Sequence, residues 1–220
     1  MLVLAIGDLH IPDRASELPA KFKKLLSPGK IGQVLCLGNV TDRTTLKFLE
    51  DLSPDYQPVK GQYDDDTTLP LSKVVTHGSL RIGFNSGHTI VPNSDPDALL
   101  ILARQLDVDI LIWGGTHRVE AYQLEGKFFV NPGSATGAFY TGWPDIEDLD
   151  DAEDETRDGA KDEKTNGTEE ETSNKADEGP KDPIPSFCLL DIQGAVCVLY
   201  IYSHVDGEVK VDKISYRKEF

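Results

Sequence analysis

The feature that most constrains the fold of this chain is a series of short strand-like runs, each of which ends in a polar motif. The first run, Leu2–Ile6, is apolar throughout, as expected for a strand buried on both faces of its sheet. The motifs that follow the runs are Asp8-Leu9-His10, Leu37-Gly38-Asn39, Gly61-Gln62-Tyr63-Asp64, Ser86-Gly87-His88 and Gly114-Gly115-Thr116-His117. Because α/β proteins place their sites where strands open into loops, we expect a functional site at these strand ends.

Strand and helix patterns alternate in the first part of the chain. Apolar residues at helical spacing predict helices over Glu17–Leu26, Thr44–Leu52 and Asp97–Leu106. Further strands are predicted over Val34–Leu37, Val74–Thr76, Leu80–Asn85, Asp109–Trp113, Val119–Leu124 and Lys127–Val130, and an antiparallel meander over Phe187–Ile192, Ala195–Ser203 and Val209–Tyr216. This order predicts an α/β fold in which two sheets pack face to face with helices outside.

The negative charge of the chain is concentrated in one segment. Of a formal net charge of −16, residues 145–182 contribute −12, with 17 acidic and five basic residues, so the remainder carries only −4. A near-neutral body argues against nucleic-acid partners and against direct binding to anionic membranes. Residues 143–183 contain almost no large apolar side chains, which predicts a disordered acidic insertion within a single domain spanning residues 1–220. A functional acidic segment is the alternative to an inert insertion.

The cysteines and the apolar stretches indicate a cytoplasmic protein. Cys36, Cys188 and Cys197 each lie in an apolar run, and no CxxC pair is present, which predicts buried thiols in a reducing compartment. The apolar start of the chain is too short for a signal peptide and is better explained as a strand. No stretch approaches the roughly 20 apolar residues of a membrane span.

The motif Asp8-Leu9-His10 has two interpretations when it is considered alone. An aspartate and a histidine one residue apart, in a loop after a buried strand, can both turn toward one cation. The same residues can also be a capping aspartate beside an ordinary hydrogen-bonded histidine. Only the order of the five motifs distinguishes a specific pattern from a chance one.

That order resembles the motif series of the calcineurin-like metallophosphoesterases, which is D-x-H, G-D, G-N-H-[DE], H-G and G-H-x-H. The resemblance implies a four-layer α-β-β-α sandwich, with two sheets flanked by helices. In that family two metal ions polarise a phosphate and activate a bridging water, and the two ions share one carboxylate.

The departures from that series imply a protein that is not an enzyme. Asn39 stands where the family has its shared aspartate, and Tyr63 stands where it has its catalytic histidine, so no catalytic residue remains. The other ligand positions that differ carry Gln62, Ser86 and Gly115.

The surviving ligand positions imply one weak metal site at most. Asp8, His10, Asn39 and His117 would surround a single Zn or Mn ion, with no cofactor required for function. The alternative is a metal-free pocket in which these side chains bond to one another. His88 is a candidate replacement for the ligand lost at Ser86, two residues away.

Longer stretches resemble the phosphoesterase-fold subunit of retromer more closely than the motifs alone require. These stretches are Met1–Leu4, Gly7–Pro12, Leu18–Leu26, Pro28–Ile31, Asp107–Ile112, Asn131–Ala138 and Ile184–Phe187. The resemblance implies a scaffold in endosome-to-Golgi and vacuolar protein sorting, peripheral on endosomes and in contact with membrane only through its complex.

The resemblance also implies two protein-binding faces. Ile90 and Val91, beside the reduced metal site, would dock on the long α-solenoid retromer subunit, vacuolar protein sorting-associated protein 35, in a complex with other retromer subunits. The opposite face would bind sorting nexins and regulator loops through a hydrophobic patch made of Leu2, Leu25, Leu189, Tyr200, Tyr202 and Val211.

The residue pattern alone leaves several alternatives open. Tyr200 and Tyr202 share one face of a strand and are either surface or core residues. Of Leu25 and Leu26, one is expected in the core and the other at the surface. A weakly active single-metal phosphoesterase and a phosphoesterase-fold adaptor outside retromer are the competing functions.

Overall fold

Eleven strands and three helices make up the computed structural model, which describes residues 1–140 and 183–218. In chain order they are β1 (Leu2–Ile6), α1 (Ala20–Leu25), β2 (Gln33–Cys36), α2 (Arg43–Leu52), β3 (Tyr56–Pro58), β4 (Ser72–His77), β5 (Leu80–Asn85), α3 (Pro96–Gln105), β6 (Ile110–Trp113), β7 (Val119–Leu124), β8 (Lys127–Pro132), β9 (Ser186–Gln193), β10 (Val196–Val205) and β11 (Glu208–Arg217). The predicted acidic insertion, apart from Pro183, lies outside the described residues.

The strands form two mixed sheets. The first sheet has the order β11-β10-β9-β1-β2-β3, and the second has the order β4-β5-β6-β8-β7. Strands β1, β2 and β3 run parallel to one another, as do β5, β6 and β8. All the other neighbouring pairs are antiparallel. Each sheet therefore has one edge at which the carboxyl ends of parallel strands meet, and this edge is where a site is expected.

The two sheets pack face to face and are covered by helices on their outer faces. On β1, Val3 and Ala5 face the core between the sheets, whereas Leu4 and Ile6 face the core under α1 and α2, as the two-residue period of a strand requires. Helix α3 covers the second sheet through Leu99 and its neighbours. The predicted four-layer sandwich is confirmed.

Two elements differ from their sequence-based prediction. Helix α1 begins at Ala20 rather than Glu17, because Pro19 takes an extended conformation as its N-cap and a residue before proline is disfavoured in a helix. Strand β3 was not predicted: it is only three residues long and contains Pro58, so its apolar pattern is too short to recognise.

The cysteine prediction is confirmed at the level of burial. Cys36, Cys188 and Cys197 are all buried free thiols. Burial raises the pKa of Cys36 to about 11 and that of Cys197 to about 12, so both thiols are protonated and unreactive at neutral pH. Within residues 1–140 and 183–218, none of the helices has the length and apolar character needed to span a membrane.

Two residues of helix α1 should contribute very differently to stability. Phe22 is fully buried and packs edge-on against Phe187, with ring centroids 4.7 Å apart, whereas Leu25 is 45% exposed. We expect Phe22→Ala to lower the free energy of unfolding by about 3–5 kcal/mol, because it leaves a cavity between α1 and the first sheet. Leu25→Ala, the matched control, should change it by about 0.5 kcal/mol or less. Urea denaturation measures both, and equal losses would contradict this packing.

Candidate functional site

The strand-end motifs meet at the carboxyl edge of the parallel strands, where the two sheets face each other. Asp8 follows β1, Asn39 follows β2, and His117 follows β6. These three residues and His10 all have positive φ angles, between 45° and 60°. For a residue with a side chain, this left-handed conformation costs about 1–2 kcal/mol. Backbone strain is thus concentrated at the residues that line the site, as is common at functional positions.

The carboxylate of Asp8 lies at the centre of the site and is fully buried. Its Oδ1 accepts a hydrogen bond from Asn39 Nδ2 at 2.7 Å, and its Oδ2 accepts one from the Gly115 N–H at 2.6 Å. Asn39 belongs to the first sheet and Gly115 to the second, so the carboxylate joins the two sheets. Burial raises the pKa of Asp8, and the charge of His117 and these two donors act in the opposite direction.

Two histidines flank Asp8. The rings of His10 and His117 have centroids 4.9 Å apart. His117 Nδ1 lies 2.6 Å from the carbonyl oxygen of Ala138. Because a carbonyl can only accept, Nδ1 carries a proton and donates it to Ala138, and Nε2 takes no part in this bond. The ring of His10 is buried, and its Nε2 has no hydrogen-bond partner among the described residues.

His10 is neutral at physiological pH. Burial, together with the charges of His117 and Arg14, lowers the pKa of His10 to about 3. Its Nε2 lies 4.0 Å from Asp8 Oδ1, but a neutral ring at this distance makes no ion pair. A neutral imidazole is the form that binds metal ions.

These three side chains fit a single metal ion. One ligand atom each from Asp8, His10 and His117 lies within 4.8 Å of the other two. One carboxylate and two imidazoles make a donor set that Zn²⁺ accepts. The unpartnered nitrogen of His10 also supports a metal site, because a buried polar atom without a partner costs about 1–3 kcal/mol.

Asn39 differs from its expected role as a ligand. Its Nδ2 donates to Asp8, and its Oδ1 accepts the Tyr63 N–H at 3.1 Å. Turning the amide over would place its oxygen against the carboxylate and its NH₂ against an N–H, so the hydrogen bonds fix this orientation. The amide oxygen expected to face a metal therefore faces the backbone of the next motif. Asn39 holds Asp8 in place instead of completing a coordination sphere.

The second metal position of the family has no charged ligand in this chain. Gln62 is exposed, and Gly115 contributes only its N–H. Ser86 is buried, and its Oγ lies 2.5 Å from Nδ1 of His88. His88, considered as a replacement ligand, is thus bound to Ser86 and is not part of the metal cluster of the described residues. Amide and hydroxyl groups alone are poor ligands for a transition metal.

A cation, Arg14, lies close to His10 and Tyr63. The guanidinium carbon of Arg14 lies 4.7 Å from the centre of the Tyr63 ring and 5.6 Å from that of Phe139, and Nη1 donates to the Phe139 carbonyl. The charge of Arg14 already disfavours protonation of His10. The same charge opposes binding of a metal ion beside His10. The sequence offered no signal for this contact, because Arg14 lies outside every motif.

Two hydroxyl residues that sequence reasoning missed position the Asp8 loop. Ser134 Oγ donates to the Asp8 carbonyl at 2.6 Å and accepts the Ala138 N–H at 2.9 Å. Thr136 Oγ1 donates to the Leu9 carbonyl at 2.7 Å. The only sequence signal was that small hydroxyl residues occur between the glycines of the segment after β8.

The segment expected to bind the solenoid contains one exposed and one buried apolar residue. Val91 is 83% exposed, whereas Ile90 is 6% exposed and packs with Leu99 under α3. Ile90, which was expected at the solenoid interface beside Val91, is buried, and its N–H donates to the Gly87 carbonyl to close a turn. Val91 and Ile101, which is 63% exposed, line a shallow groove of about 230 Å³.

The residues of the predicted hydrophobic patch share the outer face of the first sheet. Leu189 lies opposite Tyr200, and Tyr202 lies opposite Val211. Side chains alternate along β1, so Leu2 lies on the same face as Leu4, and Leu4 is covered by the helices. Val211 is 49% exposed, and the other residues named here are at least partly buried. The patch is therefore a shallow apolar surface.

The end of α1 extends this surface. Leu25 is exposed and Leu26 is 2% exposed, which settles the alternative between them. Leu25 and Val209 line a depression of about 300 Å³, together with the stems of Lys21 and Lys24. Of Tyr200 and Tyr202, Tyr202 lies closer to the core, since its ring stacks on that of Phe187 with centroids 4.8 Å apart.

Comparison with known proteins agrees with this architecture. Residues 1–143 match the model of the calcineurin-like phosphoesterase superfamily domain. The vacuolar protein sorting-associated protein 29 of Schizosaccharomyces pombe is 46% identical to this chain over 99% of each. The crystal structure of Vps29 from Chaetomium thermophilum, at 47% identity over all of both chains, gives a TM-score of 0.81.

Two further similar structures carry a bound group. Wild-type Vps29 from Entamoeba histolytica, complexed with Zn²⁺, is 36% identical, with a TM-score of 0.76 over 98% of this chain and 99% of that one. The Chaetomium protein has also been crystallised with a cyclic peptide, at 46% identity and a TM-score of 0.74 over 100% of this chain and 98% of that one. By fold, by motif order and by full-length identity, the chain belongs to the Vps29 family of calcineurin-like phosphoesterases.

Proposed function

We propose that this chain is a non-catalytic scaffold subunit of retromer, which acts in endosome-to-Golgi and vacuolar protein sorting by binding proteins on two faces. The observation that carries the proposal is the hydrogen bonding of Asp8. A two-metal hydrolase needs a carboxylate shared by both ions, and here the corresponding side chain is an amide that donates to Asp8. The site keeps its geometry but lacks the negative charge that would hold two ions.

The first proposed face surrounds the reduced metal site. Val91 is the most exposed large apolar side chain of the described residues, and Ile101 and Phe139 are also more than half exposed. Apolar residues beside a polar pocket suit the core of a protein interface with a polar rim. We assign this face to the α-solenoid retromer subunit, vacuolar protein sorting-associated protein 35. Through that subunit the protein would associate with endosomal membranes.

The second proposed face is the hydrophobic patch on the outer face of the first sheet. Tyr200 and Tyr202 present apolar rings with polar tips, a character that is enriched at binding surfaces. The cyclic-peptide complex of the Chaetomium protein supports peptide recognition in the family. We assign the patch to sorting nexins and to loops of regulators. It lies on the side of the first sheet that faces away from the second sheet.

A weakly active single-metal phosphoesterase is the second candidate. It is favoured by the cluster of Asp8, His10 and His117 and by the Zn²⁺ complex of the Entamoeba protein. An ion held there would polarise a phosphate oxygen. The three side chains would hold it, and Tyr63 stands where the family has its catalytic histidine.

Metal titration tests the assigned single-ion site. Zn²⁺ is expected to bind at one ion per chain, and His117→Ala should abolish the binding while His88→Ala, the matched control, leaves it unchanged. Arg14→Gln should tighten it several-fold, because it removes a nearby positive charge. Isothermal titration calorimetry measures all four proteins. Two ions per chain would contradict the assigned site.

Activity assays distinguish the scaffold from the phosphoesterase candidate. No turnover of a generic phosphodiester is expected with added Mn²⁺ or Zn²⁺. If turnover appears and is lost in Asp8→Ala, the phosphoesterase candidate is supported and the scaffold-only proposal fails.

A charged side chain at position 91 should weaken binding to the solenoid subunit. We expect Val91→Asp to weaken binding to the carboxyl-terminal half of that subunit at least about 30-fold, which corresponds to about 2 kcal/mol for an interface hot spot. Leu189→Asp, on the opposite face, should bind normally, and a chelator should have no effect. Surface plasmon resonance gives these affinities. Normal binding by Val91→Asp would refute the assignment of this face.

The patch can be probed with the cyclic peptide known from the Chaetomium complex. We expect this peptide to bind the chain and expect Leu189→Asp to reduce its affinity at least about tenfold, since a buried charge would oppose apolar contact. Val91→Asp serves as the control and should bind the peptide like the unmodified chain. Fluorescence polarisation with a labelled peptide measures both affinities. The reverse pattern would place peptide binding on the other face.

A further inference from the structure

A pocket beside helix α2 has no role in the functions described above. It has a volume of about 320 Å³ and lies between α2, the ends of β2 and β3, and the loop that follows β3. Its apolar lining comes from Val40, Leu46, Tyr56, Val59 and Leu69. We call it the α2 pocket. None of the three clustered metal-site side chains lines it, and its volume is near the lower end of the ~300–1,000 Å³ typical of ligand clefts.

The rim of the α2 pocket is strongly negative. Its carboxylates are Asp42, Glu50, Asp64, Asp65 and Asp66, and its one cationic lining residue is Arg43. A second cation, Lys60, lies close enough to help lower the pKa of Asp66. The imbalance of five acidic groups against these two basic groups gives the pocket mouth a negative potential, which low-dielectric walls strengthen.

Three of the rim carboxylates are already engaged in local structure. Asp64 accepts hydrogen bonds from the N–H groups of Asn39, Val40 and Gly61, at 2.8–3.0 Å. Asp42 caps α2 by accepting the Thr45 N–H, and Asp66 accepts the Thr68 N–H. These carboxylates contribute charge to the pocket.

Two rim carboxylates remain available to a ligand. Glu50 on α2 and Asp65 on the loop after β3 are exposed and accept no hydrogen bond from any described residue. They lie on different elements that border the same pocket. A cationic group between them could be bound from two sides, as a guanidinium binds carboxylates.

The negative potential extends to the floor of the pocket. Tyr56 is half-buried there, next to the buried thiol of Cys36. Burial raises the pKa of Tyr56 well above its usual range, and the charges of Glu50 and Asp64 add to the increase. The phenol is therefore neutral and can offer the face of its ring to a cation.

We propose that the α2 pocket binds a basic side chain, arginine or lysine, presented by a protein partner. An apolar floor beneath an anionic rim matches a side chain with an aliphatic stem and a cationic head. The methylene groups would contact Val40, Leu46 and Leu69, while Glu50 and Asp65 bind the head. An acidic or purely apolar side chain would leave one of these two features unmatched. The proposal does not rest on the retromer assignment.

The test uses short blocked peptides and the full chain. Acetyl-Ala-Arg-Ala-amide and its lysine analogue are titrated against ¹⁵N-labelled protein, and the norleucine and glutamate analogues serve as controls. We expect saturable amide shifts centred on Val40, Leu46 and Asp65 for the two basic peptides alone. The shifts should weaken with added salt, because exposed charges are screened within about 10 Å at 0.1 M salt.

Substitutions locate the binding to the pocket. Glu50→Gln combined with Asp65→Asn should weaken binding of the arginine peptide at least about tenfold, the loss expected when charge complementarity is removed. Asp51→Asn is the matched control, because Asp51 follows Glu50 on the same helix, is exposed and does not line the pocket. Both residues changed in the double variant are exposed, so the fold should be retained, and circular dichroism verifies this.

Three results would overturn the proposal. They are an arginine peptide that produces no saturable shifts up to 50 mM, a norleucine peptide that binds as well as the arginine peptide, and a double variant that binds as tightly as the unmodified chain. Loss of solenoid binding in Val91→Asp would leave all three measurements unaffected, so failure here is distinguishable from failure of the scaffold assignment.

Discussion

The buried carboxylate of Asp8 is the interaction on which the site end of this molecule depends. It accepts one hydrogen bond from Asn39 on the first sheet and one from Gly115 on the second, so it joins the two sheets where their parallel strands end. The backbone of Asp8 is in turn fixed by Ser134 and by the carbonyl of Gly38. Three segments distant in sequence converge on this one residue. Removing an acceptor from such a network leaves buried donors unpaired, which costs far more than the net worth of one bond.

The replacement of a shared carboxylate by Asn39 keeps the shape of the site and removes a negative charge from it. An amide has nearly the size of a carboxylate, but it provides two donors in place of negative charge. The donors of Asn39 satisfy Asp8, a role that metal ions fill in the hydrolases. Arg14 adds a positive charge over Tyr63 nearby. Both features favour a pocket that is stable without a full complement of metal, and the remaining cluster of Asp8, His10 and His117 matches one ion.

The four-layer arrangement decides which surfaces are left for binding. Helices α1 and α2 cover only part of the outer face of the first sheet, so Tyr200, Leu189 and Val211 remain accessible beyond the helix ends. The loop after β5 leaves Val91 exposed to solvent. The α2 pocket borders that site through Asp64, whose carboxylate holds the backbone of Asn39. Each of these surfaces is a consequence of where a short helix ends or a strand turns, and not of an added domain.

Much of the fold followed from periodicity, and the reasons for the misses are local. Continuous apolar runs such as Leu2–Ile6 identified the buried strands, since a strand between two layers has no polar face. The pattern could not show β3, which is three residues long and is stabilised by pairing with β2. It also could not fix the orientation of Ile90, because one residue in a loop has no period, and a hydrogen bond to Gly87 turned it inward.

The candidate site divides in the same way. The sequence by itself determined the order of the motifs, and with it the fold, the family and the loss of metal ligands at Asn39 and Gly115. Only the tertiary structure decided that Asn39 faces Asp8 as a donor, that Arg14 lies over Tyr63, and that acids from two elements surround the α2 pocket. The physical reason is that residue type sets which interactions are possible. The choice among them depends on partners that are distant in sequence, and these are brought within hydrogen-bonding distance only when the two sheets pack.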